Sequence, residues 1–237
     1  MFLVIFEVQP KQERFDDYLE LAKQLKPKLE AIDGFIDNER FKSKRDERRV
    51  LSLSTWRDEK AVIRWRTHGE HHGVQEKGRF EVFEDYHLRV GEITSDTHPP
   101  KGLPSEEMRF DETAVGEAKA ATITELTLAS DSSLGAKPDL LPAHLGLEAS
   151  RSGLVHLEVF ESIYNRGKLA VLAFWRDADT AAAWKPAAPE AAQPLRHRHV
   201  RIIRDYGMFE RREAPQYYPE IRREAPRQGM PKRAATR

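Results

Sequence analysis

The sequence predicts an α+β protein in which two tandem ferredoxin-like modules close into an intrachain version of a dimeric α+β barrel. Two observations carry that prediction. One is an internal repeat at a shift of 119 residues. The other is a β-α-β-β-α-β order of apolar patterns in the first half, most of which the second half keeps.

At that shift, residues 34–65 lie on 153–184 without a gap. Identities fall at Gly34/Gly153, Glu39/Glu158, Phe41/Phe160, Ser43/Ser162, Leu53/Leu172, Trp56/Trp175, Arg57/Arg176, Asp58/Asp177 and Trp65/Trp184. The pairing uses up all four tryptophans of the chain. Two unrelated segments rarely agree so well.

In the first half, residues 2–8 are β-branched and aromatic, a strand that Gln9-Pro10 stops. Phe15, Tyr18, Leu19, Ala22, Leu25, Leu29 and Ile32 then recur at three- and four-residue steps, the apolar face of a helix. Pro27 is expected to kink its last part, and Gly34 suits the left-handed residue beyond its end. Residues 35–43 and 49–56 read as strands around a charged hairpin loop. Asp58 caps a helix carrying Ala61, Val62 and Trp65, and residues 86–94 supply the last strand. The second half repeats this with strands at 122–128, 154–163, 168–175 and 199–204. It has a weak helix at 140–149 and another from Asp177, with Pro186, Pro189 and Pro194 breaking up the stretch beyond it.

The expected organisation is a module over 1–96, a linker over 97–118, a diverged second module over 119–210 and a tail over 211–237. The linker carries His98-Pro99-Pro100-Lys101-Gly102-Leu103-Pro104. The tail repeats Arg-Arg-Glu-Ala-Pro at 211–215 and 222–226 and reads as a surface-wrapping arm. A ferredoxin-like sheet has helices on one face only, and an equivalent sheet is the economical cover for the other. The two modules then form a pseudo-dimer within the chain. A homodimer through outer surfaces is left open.

Lys+Arg and Asp+Glu both number 39, which gives no general attraction to nucleic acid or an anionic membrane. The chain has no cysteine, so disulfides, thiolate metal sites and cysteine catalysis are excluded, and a cytoplasmic location fits. The apolar start at residues 1–8 is too short to span a membrane.

Alternation along 49–56 separates Leu51, Leu53 and Thr55 from Ser52, Ser54 and Trp56. The leucines are expected under the helices, which leaves the serines and Trp56 facing the other sheet. His87 and Arg89 share a face on the last strand. Asn38 and Arg40, or alternatively Asp37 and Glu39, join them from the second strand. His68 and His72 have the spacing of a two-histidine metal site, with His71 beside them. They lack a clear third ligand, so no metal is assigned there and the trio reads as a solvated helix face.

The run Leu51-Ser52-Leu53-Ser54-Thr55-Trp56-Arg57-Asp58, with Trp65, Ile32-Asp33-Gly34-Phe35 and Asp85-Tyr86-His87-Leu88-Arg89-Val90, resembles the antibiotic biosynthesis monooxygenase family over nearly all of residues 1–96. Phe174-Trp175-Arg176-Asp177, Trp184 and Arg204-Asp205-Tyr206-Gly207-Met208 carry the likeness in the second half. The resemblance implies a dimeric α+β barrel and, in enzymatic members, oxygen insertion. One branch oxidises phenolic or anthrone-like aromatics without a cofactor, using an Asn four residues before the first Trp; that position is Ser52 here and Val171 in the second copy. A heme-degrading branch uses an Asn on the first strand, the second Trp and a His ten residues after it. Trp65 matches that Trp, but the first strand offers Glu7 or Val8, and Gln75 stands in the His position.

The expected function is therefore a cofactor-independent monooxygenase acting on a small aromatic molecule, with the first copy holding the chemistry. Trp56 would stack on a flat ring, His87 would act as base, and Arg89 would stabilise an anion. Ser52, Ser54, Asn38 and Trp65 would bind the substrate. The alternatives are a non-catalytic small-molecule-binding or stress-related barrel, and a heme-binding or heme-degrading enzyme.

Overall fold

A computed structural model describes residues 1–103, 107–129, 132, 134, 137–187 and 192–221. The first half contains β1 (Phe2–Pro10), α1 (Phe15–Glu30), β2 (Phe35–Ser43), β3 (Val50–Trp56), α2 (Glu59–Arg66), α3 (Gly69–Lys77) and β4 (Phe83–Asp96). The second contains β5 (Ala120–Leu128), α4 (Leu141–His144), β6 (Leu154–Ser162), β7 (Lys168–Trp175), α5 (Ala178–Ala182) and β8 (Ala192–Gly207). α1 runs on through Pro27 to Glu30. Pro189 and the second Arg-Arg-Glu-Ala-Pro phrase lie outside the described residues.

All eight strands close into one antiparallel barrel in the order β1-β3-β2-β6-β7-β5-β8-β4. Each half contributes the same four-strand order, and the halves meet at β2–β6 and at β4–β8. Corresponding strands therefore pair with each other, as in a two-fold dimer tied into one chain.

The residues shared by the repeat have visible jobs. Gly34 and Gly153 adopt φ of 90° and 80°, and a Cβ on either would collide with the helix start at Ala61 or Thr180. Their carbonyls accept from Arg57 N and Arg176 N, both at 2.8 Å, while Asp58 and Asp177 cap the next helices. Across the β2–β6 seam, Ser43 donates to Glu158 and Ser162 to Glu39. Arg49 pairs with Glu158 at 2.9 Å, and Lys168, its counterpart one repeat on, pairs with Glu39. The clasp is thus made twice, once in each direction.

The face assignment made from alternation is reversed. Leu51 and Leu53 point into the barrel with Leu3, Ile5, Phe41, Phe160, Leu172 and Phe174, and this interior is a packed core. An eight-strand barrel is just wide enough for side chains to fill it, so the most apolar face turns inward. Ser52, Ser54 and Trp56 face outward, beneath the helices.

Candidate active site

On that outer face, between the first half's sheet and α1–α3, lies a cavity of about 200 Å³ that residues of 204–218 close on one side. Val4 and Phe6 of β1 and Leu88 and Val90 of β4 form an apolar floor, beside Asn38 and Arg40 of β2 and Ser52 and Ser54 of β3.

The polar part of this floor is fixed by hydrogen bonding. Asn38 Nδ2 donates to the Leu53 carbonyl at 2.8 Å and to Ser52 Oγ at 3.0 Å. A carbonyl only accepts, so the amide orientation is set and Oδ1 stays an acceptor. Ser52 Oγ, already accepting, keeps its proton to donate. Trp56 Nε1 donates to Ser54 Oγ at 2.9 Å, which leaves the Ser54 proton in the same position. Two hydroxyl donors and one amide acceptor thus share the floor.

Trp65 supplies the wall and stacks on His71, with ring centroids 4.0 Å apart and planes 14° from parallel. The chain breaks between α2 and α3, and this break folds His71 back onto Trp65. His71 Nδ1 lies 2.9 Å from the Trp65 carbonyl and must carry the proton, which leaves the Nε2 lone pair free. Burial lowers its pKa to about 4, so the ring is neutral near pH 7.

The cavity therefore gathers Asn38, Ser52, Ser54 and Trp65. Trp56 is fully buried one layer behind, edge-on to Phe35 at 5.4 Å, where it orients Ser54 and has no open face for a ligand ring. His87 and Arg89 point to the opposite face of the sheet and line a second cavity of about 260 Å³ at the barrel end. Sheet parity separates these two from the serines, so the seven residues do not form one site. At the barrel end Arg89 pairs with Glu7 at 2.6 Å and Asp205 at 3.0 Å and lies 3.9 Å over the Phe174 ring; His87 also bonds Asp205.

Glu7, His156 and Glu158 bring three ligand-type atoms within 4.8 Å of one another. Arg89 and Arg49 already hold the two carboxylates, so this group is part of an ion network. Sequence reasoning misses His71, Gln75 and Tyr86 as cavity residues. The only hint is the histidine trio, whose spacing alone suggests a solvated helix face.

In the second half the corresponding position is filled. Val171 and Ala173 replace Ser52 and Ser54, and Trp184 is buried against Trp175 at 6.0 Å and edge-on to His197 at 5.1 Å, its Nε1 donating to the Leu145 carbonyl. Its indole fills the position that stays open in the first half. Among the described residues, no helix is long and apolar enough to cross a membrane.

A pseudo-two-fold α+β barrel with a ligand-sized cavity between one sheet and its helices defines a class of small-molecule-binding barrels. The antibiotic biosynthesis monooxygenase family model matches residues 1–77. The chain is 41% identical over 224 residues, 92% of its length and 99% of the relative's, to a protein of Pyricularia oryzae named Jasmonate monooxygenase ABM. It belongs to the antibiotic biosynthesis monooxygenase family. It is also 30% identical over 92 residues, 39% of this chain and 78% of the relative, to Uncharacterized protein YqjZ of Bacillus subtilis. Of solved structures, an aldoxime dehydratase in complex with butyraldoxime is similar in fold, with a TM-score of 0.51 at 11% identity, covering 85% of this chain and 79% of that one.

Proposed function

We propose that the chain is a monooxygenase whose substrate, a small ring compound able to form a phenolate or enolate, binds in the outer cavity of the first half. In this reading residues 1–96 carry the reaction, 97–118 link the halves, and 119–210 complete the barrel. The observation that carries the reading is the pair of serine hydroxyls. Each accepts a hydrogen bond from behind and so has its proton left to donate to an oxyanion.

Loss of a proton from the substrate leaves an electron-rich anion, which Ser52 and Ser54 stabilise and which passes electrons to dioxygen. For an anthrone-like methylene, CH₂ and O₂ give C=O and H₂O. The substrate supplies every electron, and the reaction needs neither metal nor organic cofactor. Asn38 Oδ1 and the His71 lone pair orient the acidic hydrogen, and Trp65 covers the ring. Trp56 acts through Ser54 as a positioning residue. His87 and Arg89 hold the barrel end.

Oxygen uptake with phenolic, anthrone-like and jasmonate substrates tests the reading, jasmonate because of the name the Pyricularia relative bears. Ser52→Ala and Ser54→Ala should each lower kcat by about 10²-fold, the scale of one lost oxyanion donor, with little change in KM. A double variant that keeps full kcat would sink the proposal. A hemin titration followed by ascorbate tests the heme alternative, and a saturable Soret shift that then decays would replace this reading.

A further inference from the structure

Charge around the cavity is one-sided. Four arginines line it, Arg40, Arg66, Arg204 and Arg211, and among the described residues none forms an ion pair with a carboxylate, the acid that Arg204 feels being Asp111, which Arg109 holds. Among the described residues Glu59 is the one acidic side chain in the wall, and Arg109 holds it. Elsewhere in this neutral chain arginines do find carboxylates: Arg198 pairs with Glu125 at 2.6 Å, Arg196 with Asp96 at 2.7 Å, and Arg57 with Asp33 at 2.8 Å. Partly buried guanidinium groups left without an anion are costly to the protein alone and favour an anionic ligand.

Three of the four gather at the Tyr206 end. Arg204 stands two residues before Tyr206 on β8. The Arg211 guanidinium lies 5.9 Å from the Tyr206 ring, held by Tyr86 Oη at 2.7 Å and the Gln216 carbonyl at 2.8 Å. Both of those acceptors are neutral, so the charge of Arg211 is not compensated. Arg66 comes from the last turn of α2, and its Nε is buried without a partner. Tyr86 Oη accepts from Arg79 as well, at 3.2 Å, and keeps its own proton to donate.

Between this end and the serines the floor is apolar, made by Leu88, Val90, Phe6 and Val4. β8 and β3 are three strands apart across β4 and β1, about 14 Å at the usual spacing. The cavity is thus polar at one end, apolar along its middle and basic at the other end.

We propose that Arg66, Arg204 and Arg211 bind a carboxylate, so that the substrate is an amphipathic ring acid anchored at the Tyr206 end with its reactive ring over Ser52 and Ser54. This rests on the outer cavity being the substrate site. The carboxylate fixes which carbon of the ring meets the serines, and a neutral analogue loses both affinity and register.

Calorimetric titration of the full chain with jasmonate and with methyl jasmonate tests this, because the two share a body and differ in the charged end. Jasmonate should bind at least about tenfold tighter, the scale of a charge-assisted hydrogen bond. Arg66→Gln and Arg204→Gln should weaken jasmonate by about 10- to 100-fold and leave the ester unchanged, and Arg66→Lys should restore part of the loss. Equal affinity for acid and ester overturns the proposal. So does equal loss of both in the arginine variants, binding of neither by the wild-type chain, or displacement of jasmonate by inorganic phosphate in the same concentration range. Oxygen uptake separates this inference from the reading beneath it. Arginine-dependent binding of jasmonate with no turnover of any substrate upholds the carboxylate site and defeats the oxygenase. Turnover of the ester as fast as the acid does the reverse.

Discussion

Replacing Glu158 by Gln cuts one half of the clasp between the two copies while keeping its shape. Glu158 is 3% exposed. Burial alone would raise its carboxyl, but hydrogen bonds from His156 and Ser43 and the charge and hydrogen bond of Arg49 outweigh it and hold the pKa at about 2, against an ordinary 4.5. At about 1.4 kcal/mol per pKa unit, that gap is worth about 3 kcal/mol of folding stability at neutral pH. The folded pKa is depressed, so this stability is present above the unfolded value and is lost as pH falls from about 4.5 towards 2. At pH 3 about 1 kcal/mol remains, from the same two-state linkage. Urea unfolding of wild-type protein and the Glu158→Gln variant at pH 7 and pH 3 measures it. The variant should be about 3 kcal/mol less stable at pH 7, with the difference shrinking to about 1 kcal/mol at pH 3. A difference below 1 kcal/mol at pH 7, or one that does not change with pH, would refute the reasoning. Glu39→Gln breaks the reciprocal half, where the carboxylate is 19% exposed, and should cost less.

Two further substitutions probe the placement of side chains. Leu53→Ala opens a hole in the packed barrel interior and should lower stability by about 2–5 kcal/mol in urea unfolding, while Ser52→Ala on the opposite parity should change it by less than about 1 kcal/mol. Trp184→Ala should cost about 3–5 kcal/mol and create in the second half a space comparable to the cavity of the first. Binding of a small apolar dye by that variant, in excess of one per wild-type chain, would report it.

The barrel was legible because its signals are periodic and made twice. Glu39, Ser43, Glu158 and Ser162 keep their identity because each copy hands a carboxylate to the other's serine, a constraint that a shift of 119 residues exposes directly. Of the four residues that reach the cavity, Ser52 and Ser54 were grouped by strand parity, Asn38 was one of two alternatives that parity left open, and Trp65, on a helix, was marked by the repeat and the family resemblance. Which side of the sheet the serines faced was not legible, because alternation separates two faces without saying which is inside. That depends on closure: a sheet open under one helix layer turns its apolar face to the helices, whereas a closed barrel turns it inward. His87 and Arg89 are parted from the serines by register, since Phe6 of β1 pairs with Ser52 on one side and with Leu88, not His87, on the other. His71 was hidden by a helix break, since three histidines on an unbroken helix point at solvent, and only the turn at Thr67–His68 brings one of them onto Trp65.

Joining two copies in one chain also removes a constraint that a homodimer obeys. Identical subunits must carry identical cavities, and any change that fills one fills both. Here the clasp residues stay symmetric because the β2–β6 seam uses both copies of them, while the residues between sheet and helices are free to part. Ser52 and Ser54 become Val171 and Ala173, Trp56 keeps a hydroxyl partner in Ser54 while Trp175 turns to Thr122, and the second indole sinks into the space that the first leaves open. The second half thereby gains buried aromatic area, about 25 cal/mol for each Å² removed from water. That stabilises a barrel whose other half keeps a cavity and a set of uncompensated arginines. In this chain one copy is packed around its second indole and the other keeps a cavity, and the reciprocal clasp couples the two.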